Sequence, residues 1–283
     1  MDWSKAKSIL IIALIVTNSL LAYVLYSNQN NIDATTKTEF IAEAIEILNN
    51  KNIKVDKEIL PTTMPILYGL TVEYELLDSN TLNDNFFEGN GKIDFKSEGL
   101  LEITNGNEIL TLINNKLIIY ESKSEEIKHD IKSEEQAVET AMKFLEDKKI
   151  HVSDMKLSLI KEVNGVYIME FTKIYNDNYL ESTFTNIQVD NTGVKKLERT
   201  WLNTKDVGAN ILNISSAPKS ILALISMEEV YGKTVSDISI CYYFNPEKQD
   251  YVDPDKAQEG SVNLAWRIQF DDGYKVFVDN YNY

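Results

Sequence analysis

The uncharged stretch from Ile9 to Tyr26 constrains this chain more than any other feature. A helix rising about 1.5 Å per residue makes it roughly 27 Å long, close to the ~30 Å thickness of a bilayer's hydrocarbon core. Trp3 on one side, and Tyr23 and Tyr26 on the other, suit the two membrane interfaces. A secretory signal has a shorter apolar core of about 7–15 residues, followed by small residues at a cleavage point. Here Tyr23, Val24, Leu25 and Tyr26 fill that place, and no cysteine follows to carry a lipid. The expectation is an uncleaved single-pass anchor over 9–26, preceded by a head over 1–8.

The flanks orient it. Lys5 and Lys7 precede the run, Ser27–Ile32 carries no charge, and Asp33 is the first charged residue beyond. Positive flanks stay cytoplasmic, so the body is expected outside the cytoplasm of a cell membrane. Thr17, Asn18 and Ser19 interrupt the apolar run near its middle. Such groups make polar contacts with a neighbouring membrane helix, worth about 0.6–2 kcal/mol, or bond back to their own helix. Asn18 is the hardest of the three to satisfy locally.

The rest is acidic, with a formal net charge of −16 and pI near 4.6. Nucleic acids and anionic membrane surfaces both require a basic face, so nucleic acid is not an expected partner. Cys241 is the only cysteine, which excludes an intramolecular disulfide. A cysteine-poor exterior domain fits a bacterium better than an oxidising eukaryotic compartment. Cys241 lies in the strand-like run Ile238–Phe244, where a buried free thiol is the simplest reading.

Periodicity orders the body. A polar tether is expected over 27–36. An amphipathic helix follows over Thr38–Asn50, with Phe40, Ile41, Ala44, Ile45 and Leu48 on one stripe. Strands are expected at Gly69–Leu77, Gly91–Phe95, Leu100–Thr104, Ile109–Ile113 and Lys116–Tyr120, separated by Gly- and Asn-rich turns. Ser133 and Gln136 have capping-box spacing ahead of a helix over Glu134–Asp147, with Ala137, Ala141, Phe144 and Leu145 facing inward. Strands Met155–Val163 and Val166–Tyr175 flank Asn164-Gly165, a strong short-range hairpin signal. Tyr179–Val189 and Lys195–Trp201 come next. A Ser-capped helix with Pro218 in its first turn is expected to reach Val230. The strands Val235–Phe244, Val262–Phe270 and Lys275–Asn280 complete the chain. The segment 44–55 also aligns without a gap to 141–152, with Ala, Leu, Lys, Ile and Val repeated in place. The expected class is therefore α+β: the membrane helix, then modules over 37–125, 126–205 and 206–283, each a helix on an antiparallel sheet. The third is expected to pack with the second.

Chemistry is sparse. His129 and His151 are the only histidines, and neither has a second His or Cys at metal spacing. No G-x-S-x-G elbow and no phosphate-cradling glycine loop is present. Asp250, Asp253, Asp255 and Glu259 fall close together, but a calcium loop starting at Asp250 needs Gly where Asp255 stands. No enzyme activity, metal or cofactor is expected. Tyr242, Tyr243 and Phe244, with Tyr281 and Tyr283, form a candidate contact surface.

The two ends suggest a family. The head MDWSKAKSI running straight into one membrane helix resembles the YycI family of low-GC Gram-positive bacteria. The segment AWRIQFDDGYKVFVDNY is similar to that family's closing hairpin, and the 283-residue length also matches. The resemblance implies an extracytoplasmic α+β fold without known catalysis. It implies action, with a YycH-like sister protein, on a histidine kinase of the YycG (WalK) type in a two-component system controlling cell-wall metabolism. These partners associate largely through membrane helices, and the kinase is restrained or supported depending on the organism. The competing expectation is an anchored PepSY-like module that binds a small ligand or inhibits a protease. An exterior hydrolase is a third.

Overall fold

A computed structural model describes residues 7, 10, 11, 13–22, 34–249 and 257–279. Residues 13–22 are helical. After a 3-10 turn at Ala34–Thr36 the body begins with α1 (Thr38–Asn49) and β1 (Leu67–Tyr74). Next come α2 (Ser79–Phe87), β2 (Lys92–Ser97), β3 (Leu100–Asn105), β4 (Glu108–Ile113) and β5 (Leu117–Ser122). Then follow α3 (Glu134–Asp147), β6 (Met155–Val163), β7 (Val166–Tyr175), β8 (Asn178–Asp190), β9 (Gly193–Thr200) and β10 (Leu202–Leu212). The last part comprises α4 (Ala217–Ser220), β11 (Val235–Tyr243), β12 (Glu259–Ser261), β13 (Asn263–Phe270) and β14 (Lys275–Asp279).

The class is mixed α+β, with strands shared across the three expected modules. One eleven-stranded sheet runs β14-β13-β11-β8-β9-β5-β4-β3-β2, with β7 also against β8 and β6 beyond β7. Its neighbours are antiparallel except β8 and β11, which pair in parallel over Tyr179–Glu181 and Cys241–Tyr243. A three-stranded antiparallel sheet, β10-β1-β12, joins chain from the first and last parts.

Two apolar cores form on this framework. One gathers α1, β1, α4 and the inward faces of β11, β13 and β14 around Leu48, Leu70, Ile221, Trp266 and Phe270. The other packs α2 and α3 on β3–β5 and β7–β9 around Phe86, Ile103, Ala141, Met169 and Leu197. β8 links them through a bulge at Ser182, whose φ of 76° is costly for a residue with a side chain. Its hydroxyl donates to the Phe244 carbonyl, and Thr183 Oγ1 accepts from the Lys173 amide at 3.2 Å.

The repeat at 44–55 and 141–152 has a physical basis. In each copy a residue shortly past the helix end is left-handed, Asn52 at φ 58° and Lys149 at φ 57°. Ile53 N–H reaches Leu48 C=O at 3.1 Å and Ile150 N–H reaches Leu145 C=O at 2.9 Å. Asn52 and Lys149 donate to Asn49 and Glu146 at 2.9 and 2.8 Å. This is the double hydrogen bond of a Schellman cap, with its apolar contact supplied by Leu and Ile. Lysine pays for the left-handed conformation, so Lys149→Gly is expected to stabilise the fold by about 0.5–1 kcal/mol. Thermal unfolding of the full chain in mild detergent reads this out, and an unchanged or lower midpoint counts against it.

Other elements differ from expectation. The helix expected from Pro218 to Val230 is α4 followed by 3-10 turns at Ile221–Ser226 and Glu228–Val230. Buried Ile221 and Leu224 stand three apart, which suits three residues per turn, and extended Met227 (φ −107°, ψ 92°) breaks the run. α2 falls in the expected gap between strands. Its start was encoded in Asp78, whose carboxylate accepts from Thr81 N–H at 2.9 Å. β10 escaped notice because an edge strand with an open face shows no alternation.

Candidate functional site

The N-terminal helix carries the first candidate site. Leu10, Ile11, Leu14, Ile15, Val16, Leu20 and Leu21 are each more than half exposed. At 100° per residue these positions surround the helix, so the body covers no stripe of it. Among the described residues no helix is long and apolar enough to cross a membrane. The expected span 9–26 lies partly outside them, as do Lys5 and most of the tether. Lys7 is exposed. Thr17 Oγ1 donates to Ala13 C=O at 2.9 Å, which satisfies its hydroxyl within the helix. Asn18 and Ser19 are exposed.

The aromatic contact surface expected at Tyr242–Phe244 is corrected. Tyr242 and Phe244 are buried, packed edge-on against Tyr175 and Tyr74 with ring centroids 6.0 and 5.7 Å apart. Half-buried Tyr243 stacks on Phe277 at 4.6 Å. β11 is covered on both faces over Ile240–Tyr243, so alternation there sends no aromatic side chain fully into solvent. Tyr281 and Tyr283 lie outside the described residues, as do Asp250, Asp253 and Asp255. Glu259 pairs with Lys205. Cys241 is a buried free thiol donating to Ala265 C=O at 3.4 Å, and burial pushes its pKa well up.

A second candidate is a polar groove of about 760 Å³. α3 forms one wall with Gln136, Glu139, Thr140 and Lys143. The segment after β5 forms the other with Ser124, Lys128 and His129. Tyr120 and Phe144, with ring centroids 5.2 Å apart, contribute aromatic surface. α3 is placed by its Ser133 cap, whose hydroxyl accepts from Gln136 N–H at 3.4 Å, while Gln136 Oε1 accepts from Lys132 N–H at 2.8 Å. The Lys128 and His129 amides both reach Asn191 C=O at 2.9 Å, anchoring the opposite wall. Tyr120 donates to Glu108, and burial together with that carboxylate pushes its pKa up. This groove can present hydroxyl, amide and charged groups to a small polar ligand. His151 lies elsewhere, bonded to Ser153 Oγ at 2.7 Å. Among the described residues no three His, Cys, Asp or Glu side chains gather as a metal site.

Two buried ionic clusters went unnoticed because their members are far apart in sequence. Arg267 reaches Glu181 at 2.6 Å and Asp237 at 3.0 Å, also bonds Gln269, and lies over the Tyr179 ring at 4.3 Å. Lys275 joins Glu170 to this group. Arg199 donates to Thr185 Oγ1 at 2.9 Å, pairs with Glu75 at 3.3 Å and lies over Trp201 at 4.1 Å. Burial pulls the Arg199 pKa down. Lys173 meets Asp154 at 2.6 Å alongside. Each of these cations meets a carboxylate inside the fold, although buried Asp154 Oδ1 has no hydrogen-bond partner, and the pairs act as joints between strands.

No protein-family model matches the chain, and no curated protein matches it. Among solved structures, an uncharacterized protein from Eubacterium rectale ATCC 33656 aligns with a TM-score of 0.53 at 12% identity, over 84% of this chain and 94% of that one. The likeness shows a shared fold. The C-terminal domain of YpeB from Bacillus megaterium is a more distant structural neighbour, with a TM-score of 0.40 at 12% identity over 72% of this chain and 93% of that one.

Proposed function

We propose that this chain is a single-pass, non-enzymatic regulator in the cell membrane, similar to the YycI-like proteins. It acts with a YycH-like sister protein on a membrane histidine kinase of the YycG (WalK) type. The supporting observation is the N-terminal helix, whose apolar side chains stand exposed all round it and are left uncovered by the body. A helix that is hydrophobic all round belongs inside a large core or a bilayer. With Lys5 and Lys7 holding the head in the cytoplasm, the body stands outside and the span 9–26 lies among partner helices. Thr17 spends its hydroxyl on its own helix, so Asn18 and Ser19 carry the polar specificity. The helix biases the kinase only by binding one of its two arrangements more tightly than the other.

Replacing 9–26 with an unrelated single-span helix is expected to abolish co-purification with the kinase. It should also remove a change in kinase output on the order of 5- to 150-fold, the usual span of a coupling of 1–3 kcal/mol. Unchanged output and co-purification with the swapped helix would defeat the proposal. The groove beside α3 favours a second reading, an anchored PepSY-like module that binds a small polar ligand. In that case the swapped protein keeps its full effect, and substitutions at Glu139 or Lys143 remove it.

A further inference from the structure

The strand pair β1–β10 leaves an apolar surface open. Ile66 is 70% exposed, Tyr68 46%, Ile211 53% and Met64 49%. Tyr68 and Ile211 are directly paired across the two strands, so their side chains share a face. Ile66 and Met64 stand exposed in the passage leading directly into β1. None of the four is charged, although this chain has a formal net charge of −16. Scattered exposed apolar residues are ordinary, whereas a contiguous group marks a contact surface.

Chain geometry indicates what lies against it. Ile211 is followed within a few residues by Ser216, whose hydroxyl bonds Thr35 in the turn that opens the body. Nine peptide steps separate Thr35 from Tyr26, the end of the expected span, and at about 3.3–3.6 Å per residue they reach no more than roughly 32 Å. The patch therefore lies on a strand that leads, five residues past Ile211, to the serine bonded to the turn from which the chain runs back toward the expected span. Tyrosine among aliphatic side chains also matches the composition of a bilayer's interfacial layer.

We infer that Met64, Ile66, Tyr68 and Ile211 rest in the outer interfacial layer of the bilayer, giving the body a second, peripheral membrane contact beside its anchor. The inference rests on the anchored reading above. This contact holds β1 and β10 toward the membrane and fixes how the rest of the body is presented to partners.

The test uses the full chain in vesicles, with an environment-sensitive fluorophore attached at Ile66→Cys, Ile211→Cys or, as a distant control, Phe95→Cys. Phe95 is 75% exposed on β2, at the far end of the large sheet. Cys241 is fully buried and stays in place. The expected result is a blue shift at positions 66 and 211, with loss of emission when the lipids carry brominated acyl chains and no such loss at position 95. Because the contact is apolar and the body acidic, zwitterionic vesicles should serve at least as well as anionic ones. A chain that floats with vesicles while all three probes behave alike overturns the second contact and leaves the anchor standing. A blue shift without bromine quenching assigns the patch to a protein surface and also overturns it. A chain that does not float removes the anchor and the inference together.

Discussion

Arg267→Met is expected to destabilise the folded chain by about 3–5 kcal/mol, the usual loss when one member of a buried ion pair is removed. Arg267 and Glu181 are both nearly inaccessible, and they meet at 2.6 Å between β13 and β8, the strand that bridges the two cores. Methionine supplies comparable apolar volume, so the loss measures the stranded carboxylate. It also unpairs Asp237 and Gln269 from the guanidinium. Thermal unfolding of the full chain in detergent reads the effect, and a midpoint unchanged from the parent would show that the pair contributes nothing. Adding Glu181→Gln to Arg267→Met should recover part of the loss, because the carboxylate left behind is then neutral.

The same pair has a pH signature. Burial pushes the Glu181 pKa above its ordinary value of 4.5, against the pull of Lys275 and Arg267. The folded state therefore holds this proton more tightly than the unfolded state. Its contribution is complete below the unfolded value and is lost as pH rises through the folded one. Raising the pH from about 4 to about 7 should thus lower the stability of the parent relative to Glu181→Gln. A difference that stays constant, or moves the other way, would show that the cations outweigh burial.

Trp266→Ala is expected to cost about 3–5 kcal/mol through the cavity it leaves. Trp266 is among the largest fully buried side chains, and its indole N–H donates to Ser215 C=O at 2.8 Å. Trp266→Phe separates the two contributions. It keeps much of the apolar contact but removes the indole donor from the Ser215 carbonyl, a loss of about 0.5–1.5 kcal/mol. Ser215 precedes the serine that bonds Thr35. Both variants should therefore speed amide exchange at 34–36 and 215–220 more than in α3. A uniform increase across the body would show that Trp266 holds no local strut.

The Asn164-Gly165 hairpin was legible because its turn chemistry is local. Asn164 at φ 54° and Gly165 at φ 81° provide the two positive angles of a tight hairpin turn, and Val163 pairs with Val166. α1 and α3 were legible through their stripes, and Ile41, Ala44, Leu48, Ala137, Ala141 and Leu145 are buried. Tyr242 and Phe244 misled because a strand covered on both faces reads the same as one that displays its aromatics. The groove beside α3 draws on residues from Asn105 to Val194, and no short window of sequence contains that juxtaposition.

Local chemistry in the sequence determined the helix stripes, the caps, the tight turns and an uncharged, mostly apolar N-terminal run. These depend on neighbours within a few residues, where periodicity and backbone preference act. Tertiary structure alone decided that β8 joins both cores, that β8 and β11 run parallel, and that Arg267 is neutralised by a glutamate 86 residues away. It also brought Tyr68 and Ile211 together as an open apolar face. Such pairings follow from closing long loops to bury apolar area, and that balance is set by the whole chain.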